Sequence, residues 1–220
     1  MSKIQLHKPT LIMLYGYPGA GKTYFARQFC EEVAAAHVHD DKIRHEIFER
    51  PRFDKRENQI LQQLMQYMTE EFLKANVSVV FDTNAMRLGH RRLLRDLARK
   101  FNAKPELIWL QIDAESAYQR SSKRDRRKAD DKYGVEINKD MFAKVANFMQ
   151  NPSLTEEYIV LSGKHTYDTQ SKMLLKKFYD GGLLDAQNAS SKLARPELMN
   201  RIPNPLAGRV DNSRRNIRIR

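Results

Sequence analysis

Residues 16–23 read Gly16-Tyr17-Pro18-Gly19-Ala20-Gly21-Lys22-Thr23, which fills every fixed position of the phosphate-loop pattern G-x-x-x-x-G-K-[ST]. Five apolar or β-prone residues, Leu11 to Tyr15, lead into the loop, and a helix-compatible run from Lys22 to Ala36 leads out. This strand, loop and helix order is the context in which the pattern has a mechanism. Glycines let the backbone close tightly enough for successive N–H groups to face phosphate oxygens. The helix N-terminus adds about half a positive charge. Lys22 then reaches the β- and γ-phosphates, and the Thr23 hydroxyl is placed for a Mg²⁺ ion that bridges them. The sequence thus predicts a nucleotide site in which Gly16, Pro18, Gly19, Ala20, Gly21, Lys22 and Thr23 hold the phosphates.

The chain of 220 residues is 41% hydrophobic, which suits one α/β domain and a tail. No run of 18 apolar residues exists, and the opening Met-Ser-Lys-Ile-Gln-Leu-His lacks the apolar segment of a signal peptide, so the expectation is a cytoplasmic protein without a membrane partner. Cys30 is the only cysteine, which excludes an internal disulfide. The net charge is +12, and residues 191–220 hold eight Lys or Arg against two acids, half of that excess. Pro196, Pro203, Pro205 and Gly208 break up the same stretch. We read residues 1–182 as the folded domain and 183–220 as a basic, disordered tail. Such a tail serves as a solubilising extension or as an arm for nucleic acid, and with no aromatic residue from Ser191 to Arg220 it would attract phosphates without stacking on bases.

Outward from the loop, strands and helices alternate. Ala36–His39 reads as a short strand ending in Asp40-Asp41, Lys42–Phe48 as a short helix, and Lys55–Ala75 as a long amphipathic one. Val77–Phe81 is a buried strand followed by Asp82-Thr83-Asn84. Gly89–Phe101 reads as a basic helix with Leu93, Leu94, Leu97 and Phe101 inward, then Pro105–Ile112 as a strand. Helix Lys139–Met149, strand Tyr158–Leu161 and helix Asp168–Tyr179 complete the body. This alternation predicts a doubly wound, mainly parallel sheet of five strands with its active face beyond the strand C-termini. His37 and His39 share a strand face, but no Cys or third His stands at ligand spacing, so the spacing assigns no zinc.

Glu115–Tyr133 is strongly charged. Arg120, Arg124 and Arg127 stand at i, i+4 and i+7, the spacing of one helix face, and guanidinium forks suit phosphate oxygens. With the loop around Gly134 they predict a helical lid over about 120–138. A kinase also needs a group to position and deprotonate its acceptor. Asp41 and Arg44 suit those tasks, and Asp82 could hold Mg²⁺ through water or orient Arg44. Ser162–Thr166 would approach the purine by its place after the last strand.

The phosphate loop, Asp41-Lys42-Ile43-Arg44, Asp82-Thr83-Asn84 and Arg120-Ser121-Ser122-Lys123-Arg124, in that order, resemble the kinase domain of the bacteriophage polynucleotide 5′-hydroxyl kinase and its wider group of zeta-toxin-like, AAA-type phosphate-loop kinases. The resemblance spans residues 10–162. It implies the P-loop kinase fold with strand order 2-3-1-4-5, and ATP with Mg²⁺ as cofactors. It places the general base on Asp41, the acceptor phosphate on Arg44, and donor phosphates on Arg120 and, in the transition state, Arg124. Asp82 and Asn84 fall on the acceptor side. The segment between Arg44 and Val77, the arginine-rich lid and the tail depart from the pattern. The implied activity is transfer of the γ-phosphate to a 5′-hydroxyl of RNA or DNA. Sugar, nucleotide-sugar and antibiotic acceptors occur on the same skeleton, and an ATP-dependent nucleic-acid-binding protein without transfer is a third reading.

Overall fold

The computed structural model describes residues 3–125, 127, 132–153 and 155–185. Five parallel strands form one sheet: β1 (Thr10–Tyr15), β2 (Ala35–His39), β3 (Ser78–Asn84), β4 (Lys104–Gln111) and β5 (Ile159–Ser162). Their order is β2-β3-β1-β4-β5, as the resemblance implied. Among the described residues, helices α1 (Lys22–Glu32), α2 (Asp40–Ile47), α3 (Lys55–Lys74), α4 (Leu88–Lys100), α5 (Ala114–Ser122), α6 (Lys139–Phe148) and α7 (Tyr167–Asp180) connect the strands or follow them.

The central strand β1 is buried along its whole length, and its side chains alternate between two cores. Ile12 and Leu14 face a cluster with Phe25 and Phe29 of α1 and Leu174 and Phe178 of α7. Leu11, Met13 and Tyr15 face the other side, against Leu61 and Met65 of α3 and Leu94 and Ala98 of α4. With both faces covered, the strand C-termini are where the sheet opens to ligands.

Several boundaries differ from the sequence reading for physical reasons. α1 ends at Glu32 rather than Ala36, because Ile4 bridges Val33, its N–H donating to the Glu32 carbonyl and its carbonyl accepting from the Ala34 N–H, which draws the chain into β2. Asp82, Thr83 and Asn84 lie inside β3. Leu93 is 61% exposed; the inward face of α4 is Arg91, Leu94 and Ala98. The arginine helix stops at Ser122, so Arg124 and Arg127 are not on one helix face with Arg120. Like charges four residues apart disfavour continuing it. Leu183 and Leu184 are buried against α7 and the N-terminal segment, with the Leu183 carbonyl accepting from His7, so packed chain continues to Asp185. The rest of the expected tail, 186–220, lies outside the described residues. Among those described, no helix is long and apolar enough to cross a membrane.

Burying Arg91 completely requires every guanidinium donor to be met. Glu156 takes two of them, from Nε at 2.9 Å and Nη2 at 2.7 Å, and the carbonyls of Ala85 and Gln150 take Nη1. Arg95 adds a third bond to the same carboxylate at 2.6 Å. This knot ties the end of β3 to the segment entering β5, and Tyr15 continues it by donating to Asn151. Arg91 in particular holds the Glu156 carboxyl down to about 2.

Glu156→Gln is therefore expected to cost roughly 3–5 kcal/mol at neutral pH, since it leaves buried guanidinium charge uncompensated. A carboxyl depressed in the folded state stabilises above its unfolded value near 4.5 and loses that contribution as pH falls toward 2. Urea unfolding of both proteins from pH 7 to pH 2.5 checks this: the gap should narrow below pH 4.5, and a constant gap would contradict it.

Candidate functional site

The phosphate loop runs from the end of β1 to the start of α1. Gly19 has φ +83°, and a Cβ there would strike the Ala117 carbonyl of α5, so only glycine lets loop and helix approach this closely. Gly21 caps α1 at φ +92° without a side-chain bond, leaving the first-turn N–H groups directed outward. Lys22 folds back over the loop, its Nζ donating to the carbonyls of Gly16 at 3.0 Å and Tyr17 at 2.9 Å. Burial pushes its ammonium down to about 8, against the opposing pull of Asp82. From β3, the Asn84 amide donates to the same Gly16 carbonyl at 2.9 Å and pins the loop from below.

These elements enclose a cavity of about 580 Å³. One side is the loop from Pro18 to Thr23; opposite stand Asp40, Asp41, Asp82 and Asn84, with Arg120, Lys123 and Arg124 from the charged segment. Gly16 and Arg44, both assigned to the site from the sequence, are outside its lining, as are Arg127, Ser162 and Thr166. Gly16 lies beneath the loop with its carbonyl turned to Lys22 and Asn84.

Arg44 is buried behind the lining, 3.4 Å from Glu57, donating to Asn58 at 2.6 Å and lying over the Phe53 ring at 4.6 Å. Glu57 is itself 2% exposed and accepts from the backbone of Arg52 and Phe53, so the guanidinium completes a buried polar cluster where α2 meets α3. Nothing within the D-x-x-R spacing reveals this competitor, which lies 13 residues further on.

Asp40 is a residue the sequence reading missed. Burial, and then Asp41 and Asp82 beside it, push its carboxyl up to about 7, and its Oδ1 accepts from the Asp41 N–H at 2.7 Å. Burial pushes Asp41 up as well, against the pull of His39 and Arg124. Carboxylates whose affinity for protons is raised are suited to take a proton from a bound hydroxyl. The available signal was its adjacency to Asp41 at a strand end. Lys164 and His165, from the loop after β5, also line the cavity, where the fold placed Ser162–Thr166.

Arg120 donates to the Gly163 carbonyl at 2.8 Å and so joins α5 to that loop. Arg124 acts electrostatically on both Lys22 and Asp41, which places it between the phosphate loop and the start of α2. Its guanidinium lies against Gly134, where any Cβ would overlap it. Ile137 is held to Ser121, and the Tyr133 ring packs on His45 at 5.3 Å and His39 at 6.4 Å, so the described part of this segment reaches across to β2 and α2. The Thr23 hydroxyl is 3.5 Å from Asp82 Oδ1, an all-oxygen pair that fits Mg²⁺.

A family model described as an AAA domain matches residues 11–147, and the chain belongs to that family. Among solved structures it is similar to Kti12 of Chaetomium thermophilum in complex with ADP-AlF3, at 15% identity and TM-score 0.60, covering 80% of this chain and 100% of that one. It is similar to the Mycobacterium tuberculosis APS kinase CysC with AMPPNP and APS, at 15% identity and TM-score 0.57, over 78% and 98%. It is also similar to an unliganded sugar kinase from Janibacter sp., at 16% identity and TM-score 0.55, over 76% and 93%. At these identities the likeness is one of fold. A search of curated protein sequences gave no significant match.

Gly134→Ala is expected to push Arg124 out of place and weaken ATP·Mg²⁺ binding about tenfold, the loss of one charge-assisted hydrogen bond of roughly 1.5 kcal/mol. Calorimetric titration measures it. Unchanged affinity would remove Arg124 from the phosphate-facing wall.

Proposed function

We propose that this AAA-domain chain is a kinase that moves the γ-phosphate of ATP to a hydroxyl acceptor, with the 5′-hydroxyl of RNA or DNA as the favoured acceptor. The observation that carries the reading is a single cavity in which Lys22 and Thr23 face Asp40 and Asp41, with Arg120 and Arg124 alongside. A phosphate loop alone serves switches and ATPases equally well. Carboxylates opposite the loop add a group that can activate an incoming oxygen.

In this mechanism the loop N–H groups and Lys22 hold the β- and γ-phosphates. Thr23 and Asp82 would hold Mg²⁺, which would supply charge neutralisation at the phosphates. The acceptor oxygen attacks phosphorus in line, its proton passes to Asp41, the bond to the β–γ bridging oxygen breaks, and ADP leaves. Asp40 stands beside Asp41, its own carboxyl pushed up to about 7 by burial and by Asp41 and Asp82. Arg124 offsets charge on the transferring group, and Arg120 anchors the donor side through the loop after β5. Asn84 serves by holding the loop at Gly16, and in this role it acts on the donor side.

Support for a polynucleotide acceptor comes from the net charge of +12 and from the acceptor-side motif order. One observation favours a second reading, a small hydroxyl compound as acceptor. Arg44, the arginine meant for an acceptor phosphate, is committed to Glu57.

Transfer of labelled γ-phosphate to 5′-hydroxyl RNA and DNA oligonucleotides tests the proposal, with Asp41→Asn in parallel. Labelled oligonucleotide is expected, with turnover reduced by roughly 10²–10⁴ in the variant and ATP affinity nearly unchanged. No label on either polymer, but label on a small hydroxyl compound, would establish the second reading. ATP and RNA binding with no phosphorylated product at all would leave a nucleotide-dependent binding protein.

A further inference from the structure

β2 and β3 run in parallel with His39 opposite Asp82. Residues two apart on a strand share a face, so His37 and His39 project together toward the same neighbour. Their rings stack at 5.2 Å with 3° between planes. Nε2 of His37 is 2.9 Å from Asp82 Oδ2, and Nε2 of His39 is 3.9 Å from that same oxygen. One ligand atom from each of the three residues lies within 4.8 Å of the other two.

A simple hydrogen-bonded pair accounts for His37 and Asp82. It does not account for His39, which aims at the same oxygen from beyond hydrogen-bond distance. Two imidazole nitrogens and one carboxylate oxygen converging this way are the donor set of zinc and other borderline divalent ions, with bonds of roughly 2.0–2.2 Å. Asp40 and Asp41 form a second such group with His39, adding negative charge around the same imidazole. The carboxylate of Asp82 divides its work: Oδ1 faces Thr23 and Oδ2 faces the histidines. His37, with 22% of its side chain exposed, gives access from solvent, whereas Asp82 is nearly enclosed.

We propose that His37, His39 and Asp82 form a binding site for zinc or a similar transition-metal dication, beside the phosphate loop and open at a fourth position. The nitrogen donors select against Mg²⁺, which prefers oxygen and keeps its waters. The spacing of the sequence offered two ligands; the sheet register supplies the third. The site stands on side-chain geometry alone and does not depend on which acceptor, if any, receives phosphate.

The test uses the full chain, stripped of metal and free of nucleotide, titrated with Zn²⁺ by calorimetry and with Co²⁺ by visible absorption. One ion per chain is expected, with Co²⁺ giving the d–d bands of an imidazole-ligated centre. His37→Gln and His39→Gln should each weaken binding at least about tenfold. His7→Gln, remote on the N-terminal segment, should not, and neither should Thr23→Ala, which separates this site from the nucleotide site. Circular dichroism melting confirms that the variants fold. Absence of binding by the wild type, or equal binding by the wild type and the His37→Gln/His39→Gln double variant, would overturn the proposal.

Discussion

The Lys22 ammonium is held over the phosphate loop by two carbonyls of that loop, and burial pushes its proton affinity down to about 8. A half-buried cation so placed is stabilised by any anion that reaches it, and the surrounding structure controls which anion can. The left-handed Gly19 lets α5 press on the loop. Asn84 holds the loop from below, and Asp82 supplies the counter-charge. Moving any of these displaces the point where phosphate and acceptor would meet.

That geometry depends on the sheet being closed on both faces. β1 carries residues of two cores, and the knot of Arg91, Arg95, Glu156 and Tyr15 fixes the end of β3 against the approach to β5. Its net contribution to stability is modest, because burying ions costs about as much as pairing them returns. Its consequence for function is positional. Asp82 and Asn84 stand at the end of β3, and Ala85, whose carbonyl accepts from Arg91, follows it directly.

The fold was legible because its signals are local. The G-x-x-x-x-G-K-T loop, the apolar run Val77–Phe81 and the alternation of strands and helices each lie within a short window, and the strand order followed from the resemblance. The errors came from partners distant in sequence. Arg44 was captured by Glu57 on a different helix, and Leu93 yielded the core face to Arg91, which a carboxylate 65 residues away makes possible. The three-arginine face failed because α5 ends at Ser122, leaving Arg124 to be positioned by Gly134. Asp40 went unnoticed since its raised proton affinity arises from burial, with Asp41 and Asp82 adding to it, and only the folded sheet assembles them. The same holds for His37, His39 and Asp82, joined across β2 and β3 by register.

The central claim is that the cavity stabilises a phosphoryl group in transfer and does not simply hold a nucleotide. The most direct measurement is calorimetric binding of ADP with Mg²⁺, with and without aluminium fluoride as a mimic of the transferring group, in the wild type and in Arg124→Ala. The account expects the fluoride complex to bind at least about tenfold more tightly than ADP, with most of that gain lost in the variant. Equal affinity for ADP with and without aluminium fluoride in the wild type would contradict it.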